Sequence, residues 1–145
     1  MTDQAAPDVV TIRSRIRQAR PPQLEMSVYR RHNAVVLTVR GELDASNTVH
    51  LASRILPFAS TRHDLVLDLS SMTFVAAGGI QLLMAMAVRF RNESCPWALV
   101  TGPQLARVLR LTPHAAALPA VATVTEGISL TAEAGRQSRH IHVAG

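Results

Sequence analysis

Lysine is missing from this chain; all 15 of its basic residues are arginine. Other sources of recognisable chemistry are scarce as well. One cysteine, Cys95, stands alone, which excludes an intramolecular disulfide and any cysteine metal cluster. Aromatic residues make up 3% of the 145 residues, so a core has to be built from Leu, Val, Ile, Ala and Met. No apolar run approaches the roughly 18 residues of a membrane span, and the N-terminus lacks the apolar stretch of a secretory signal. The expectations are no transmembrane segment and a cytoplasmic location.

Catalytic groups are as thinly spread. The six histidines show no metal-ligand spacing, and His140 and His142 alone would make a weak site. Ser70-Ser71 has no base at a suggestive spacing, and Gly78-Gly79 has too few glycines to cradle a phosphate. Asp68 follows an apolar run into a polar turn, where a carboxylate commonly accepts hydrogen bonds from loop backbone N–H groups. With no convergent acid, base, nucleophile or ligand cluster, the chain reads as a non-enzyme without cofactor or metal.

The formal charge of +5 points first to nucleic acid. Four arginines (Arg13, Arg15, Arg17, Arg20) lie in the first twenty positions and the others are scattered. No basic stripe is interleaved with stacking aromatics, so no specific nucleic-acid partner is expected.

What is present is a folding pattern. Hydrophobic residues at 48% and charged residues at 17% describe one domain with a proper core. Residues 1–22 read as a flexible Arg-rich extension ending at Pro21-Pro22, and residues 135–145 as a flexible tail. Between them, residues 23–134 alternate in type. Leu24, Met26 and Val28 mark a strand, and Arg31-His32-Asn33 a hairpin turn with Asn33 at positive φ. Val35 to Val39 is a central strand. Asp44 or Ser46 is positioned to cap a helix carrying Leu51 and Ile55. Strands follow at Asp64 to Leu69, Trp97 to Thr101 and Val121 to Val124. Helices follow at Gly79 to Arg91, Pro103 to Leu111 and from Glu126, the last capped by Thr125. The order predicts an α/β fold, a mixed sheet of an N-terminal hairpin plus parallel strands with helices packed against it.

The most informative stretch is Leu65 to Ile80: a strand, a polar turn, a cluster of small residues, then a helix. Free backbone N–H groups gather at such a junction, which suits it to recognition. In the helix, Ile80, Leu83, Met84, Ala87 and Val88 follow the i, i+3, i+4, i+7, i+8 spacing of a sheet-facing stripe. That leaves Gln81, Leu82, Ala85, Met86 and Arg89 on the outer face, apolar enough to dock a protein. The expected partner-binding set joins this face to the loop: Val75, Ala76, Ala77, Gly78, Gly79, Gln81, Leu82, Ala85, Met86 and Arg89.

The same stretch resembles the signature of the STAS domain, the fold of bacterial anti-sigma factor antagonists. Gly41-Glu42-Leu43-Asp44 is similar to the family's turn into its first helix. Leu65 to Phe74 is similar to its strand and turn, Gly79-Ile80 to the opening of its next helix, and Leu111-Thr112 to the end of its third. The resemblance runs from about Met26 to Glu133. It implies a regulatory module that binds an anti-sigma factor or related regulatory protein and so frees a sigma factor. The family's loop reads Asp-Ser-Ser or Asp-Ser-Thr, its first Ser being the phosphoacceptor; here the positions are Ala76, Ala77 and Gly78, so no phosphoacceptor is left. A scaffold subunit of a lipid-transport or other multiprotein complex, or a small-ligand-binding module, are the alternatives, and a homodimer is left open.

Overall fold

A computed structural model describes residues 10–15 and 23–144, with side chains for 24–137. Seven strands form one sheet, in the order β1-β2-β3-β4-β6-β7 with β5 off this path against β3. The strands are β1 (Val10–Arg15), β2 (Gln23–Arg31), β3 (Ala34–Leu43), β4 (Asp64–Asp68), β5 (Met72–Val75), β6 (Trp97–Val100) and β7 (Ala120–Val121). The first three are antiparallel, and β3, β4, β6 and β7 run parallel. The helices are α1 (Thr48–Ile55), α2 (Ala77–Asn92), α3 (Pro103–Leu111) and α4 (Val124–Ala144). The predicted mixed α/β sheet is the one observed.

Alternation within the strands divides the core in two. Val35, Leu37 and Val39 of β3, with Leu65 and Leu67 of β4, face α1, α2 and α3. Ala34, Val36, Val66 and Val100 face the other way, where Val124 and Ile128 of α4 cover them. Burial on both faces explains why these strands read as continuous apolar runs. Gly127 sets how close α4 lies: a Cβ there would stand 3.0 Å from Val66 Cγ1.

Two turns differ from expectation. In the β2–β3 hairpin the positive φ (56°) falls on His32 and not on Asn33. Asp44 does not cap α1, and neither does Ser46. The Asp44 carboxylate accepts hydrogen bonds from the Ser46 N–H and hydroxyl, while Asn47, 1% exposed, occupies the cap position. The Asn47 side chain accepts from the Asp44 N–H and donates to the Glu42 carbonyl, so it ties the end of β3 to the start of α1.

The expected boundary after residue 22 meets the start of β2, and the one at 135 falls within α4. Val10–Arg15 pairs antiparallel with β2, from Val10 against Val28 to Arg15 against Gln23. Backbone pairing along a free sheet edge supplies what two isoleucines alone do not. Residues 1–9 and 16–22 of the expected extension lie outside the described residues. At the other end α4 continues to Ala144, bridged across the expected stop by an Arg136–Glu133 ion pair. Adding a residue to an existing helix costs far less than starting one. Its cap is Thr123, not Thr125: the Thr123 hydroxyl accepts from the Glu126 N–H, and Glu126 reaches back to the Ala122 N–H.

Candidate docking site

The site begins at Gly41, the glycine with positive φ (116°) among the described residues. It sits at a register shift that lets the end of β3 leave β2 and pair with β5, as Glu42 against Phe74 and Leu43 against Val75. Behind β4, the Asp68 carboxylate accepts hydrogen bonds from the Ser70 N–H and hydroxyl, as the sequence predicts. That turn delivers β5 beside β3, and β5 delivers Ala76 to the start of α2.

Ala76 is held by its N–H to the Leu43 carbonyl (2.8 Å) and accepts from Gly79 and Ile80. It is the N-cap of α2 in extended conformation (φ −78°, ψ 168°), yet offers no side-chain acceptor, and the first turn holds no acidic residue. The positive end of the helix dipole is therefore left without a compensating side chain at an exposed loop, with Ala77 on the surface. Nothing lies within 4 Å of where a Cβ on Gly78 would stand. Replacing Ala76 by Asp should supply the missing acceptor and raise stability by about 1 kcal/mol, with Ser giving a smaller gain. A urea titration checks this; an unchanged midpoint for both variants would mean the cap position is misassigned.

The predicted binding face is only partly on the surface. Gln81, Ala85 and Arg89 are exposed, with Arg89 paired to Glu93 at 3.3 Å; Val75, Ala76 and Leu82 are half-buried. Gly79 is buried, its missing Cβ pointing 2.8 Å from Leu43 Cδ2 and 2.9 Å from Val75 Cγ1. Met86 is buried too, at 1% exposure, and so is not a contact residue. The inward stripe is Gly79, Leu83, Met86 and Phe90, with Ile80 beside it, while Val88, expected to face the sheet, is 46% exposed. Phe90 meets the Trp97 ring at 4.9 Å between centroids, tilted by 57°. The close approach at Gly79 and the large ring at Phe90 rotate the helix away from the predicted register.

A groove of about 440 Å³ lies alongside, between β5 and α3. Phe74 (54% exposed) and Val75 form one wall, and Gln104, Arg107 and Val108 (41% exposed) the other. Phe74, Arg107 and Val108 were not among the expected site residues. The signal for Val108 was available: Leu105 and Leu109 already form the buried stripe of α3, which leaves Val108 and Leu111 as apolar residues without a core role.

Other chemistry is scarce here. Among the described residues no group of three His, Cys, Asp or Glu could hold a metal, and no helix is long and apolar enough to cross a membrane. Cys95 lies 7% exposed; burial, then the charges of Asp64 and Glu93, push its thiol up to about 11. It stays protonated at neutral pH, which makes it a poor nucleophile and a slow partner in disulfide exchange.

The fold is thus an α/β domain whose mixed sheet carries an exposed small-residue loop, an uncapped helix N-terminus and an apolar groove. Residues 26–119 match the family model described as "Mlab, STAS domain", and the chain belongs to the STAS domain family. Osmosensory protein A of Mycobacterium tuberculosis (strain ATCC 25618 / H37Rv) is 33% identical over 85 residues, 59% of this chain and 54% of that protein. The chain thus spans little more than half the length of that relative. An anti-sigma factor antagonist from Mycobacterium paratuberculosis has a similar crystal structure (TM-score 0.63, 23% identity, 87% of this chain and 97% of that one). The anti-sigma factor antagonist SpoIIAA in its unphosphorylated form is also similar (TM-score 0.54, 14% identity, 70% and 90%). At these identities the two structures establish the fold.

Proposed function

We propose that this STAS domain is a non-catalytic module that binds an anti-sigma factor or a related regulatory protein, without the usual serine switch. The observation that carries it is the loop that exposes Ala77 beside a groove whose Phe74 and Val108 turn apolar surface to solvent. Apolar side chains flanking a concave surface suit a protein contact better than a solvated face. Phosphorylation of the loop would add about −1.5 to −2 charges and drive partners apart. Ala77 has no hydroxyl to modify. Ser70 is turned to Asp68, and Thr73 donates to the Gly41 carbonyl, so neither replaces the missing acceptor at the loop tip.

Affinity capture from the source organism tests this, with Ala77→Asp as control. The unmodified chain should retain an anti-sigma factor, and Ala77→Asp should lose it while folding normally, since Asp in a first helical turn is favourable. Retention of membrane-transport subunits instead would replace this reading by that of a scaffold subunit.

A further inference from the structure

We propose that a second depression, at the carboxyl ends of β4, β6 and β7, binds a small amphiphile with an apolar body and one anionic group. It lies on the other side of α3 from the groove and measures about 750 Å³, within the range of small-molecule sites. Ligands of open α/β sheets bind at the carboxyl ends of parallel strands, the place this hollow occupies.

Its space exists because small residues line it. Ala106 of α3, Ala116 of the 3-10 turn before β7, and Ala120 and Ala122 around β7 replace side chains that would fill it. An apolar lining calls for an apolar body. Two residues select the other end of the ligand. Thr101, 8% exposed, lines the hollow, and its hydroxyl has no hydrogen-bond partner among the described residues. No buried side-chain oxygen among the described residues is left unpaired, so this hydroxyl opens to the hollow, where a ligand oxygen can take the place of water on it. Arg110 stands at the rim with no ion-pair partner among the described residues. A guanidinium and a hydroxyl beside an apolar hollow complement an anionic head on an apolar chain. The site shares no residue but Pro103 with the docking groove, so it stands or falls separately from the partner reading.

The test titrates the full chain with decanoate below its micellar range, following alanine methyl resonances by NMR. Saturable shifts should be confined to the four alanines and their neighbours. Decanol, which lacks the charge, should bind about tenfold more weakly. Arg110→Gln should bring decanoate down to the level of decanol, and Thr101→Val should weaken decanoate further. Ala106→Leu should remove binding of both by filling the hollow. Ala122→Leu, at an exposed position, should do the same and serves if the first variant disturbs folding. Absence of saturable shifts, equal affinity for decanoate and decanol, or unchanged binding in both filled variants would each overturn the proposal.

Discussion

Replacing Phe74 and Val108 together by Asp should abolish partner binding, by a factor above about 100, while leaving the unfolding midpoint near that of the unmodified chain. Phe74 is 54% exposed and Val108 41%, so neither holds the core together, and both flank the groove between β5 and α3. Buried aromatic contacts dominate protein interfaces, where one truncated anchor costs about 2 kcal/mol or more. An unpaired carboxylate in a desolvated contact costs more again. Leu130→Asp is the control. Leu130 is 38% exposed on α4, the helix that covers the opposite face of the sheet, and its replacement should leave binding unchanged. Equal loss from the control would show general damage and not a specific surface.

Met86→Asp should unfold the domain. Met86 is 1% exposed within the core that joins α2 to β3 and β4. A charge there has no partner, and the cost, on the order of 4 kcal/mol or more, takes a large share of the roughly 5–15 kcal/mol that hold a domain together. Val88→Asp, two positions on at 46% exposure, should cost about 0.5 kcal/mol or less. Circular dichroism with urea titration separates the two. A folded Met86→Asp of native stability would return Met86 to the surface and restore the helix register predicted from spacing.

That register shows where the sequence was ambiguous. Ile80, Leu82, Leu83, Met84, Met86 and Val88 spread apolar character around α2, so more than one stripe satisfies the 3.6 period. Contacts from distant segments decide it: Gly79 against Leu43, and Phe90 against Trp97. Strands β3, β4 and β6 were legible because burial on both faces leaves an unbroken apolar run. The loop from Val75 to Gly78 was legible for a local reason as well, since small residues between a strand and a helix mark a junction. The pairing of Phe74 with α3 across the groove was not. Phe74 faces Val108 across the groove only because a bulge at Gly41 lets β5 pair with the end of β3, whereas the sequence reads Met72 to Phe74 as part of a turn. Thr101 and Arg110 are likewise joined to the alanines around β7 by topology, not by spacing.

The most direct measurement is the calorimetric affinity for an anti-sigma factor of the source organism, before and after incubation with ATP and the kinase that acts on the system. A serine-bearing antagonist would lose affinity as its loop gained about two negative charges. With Ala77 in that position, binding should be measurable and the same under both conditions, and it should fall only when Ala77→Asp puts charge there. A loss of affinity on adding ATP would place a phosphoacceptor elsewhere on the docking surface and contradict the proposed freedom from that switch; no binding to any anti-sigma factor would contradict the function itself.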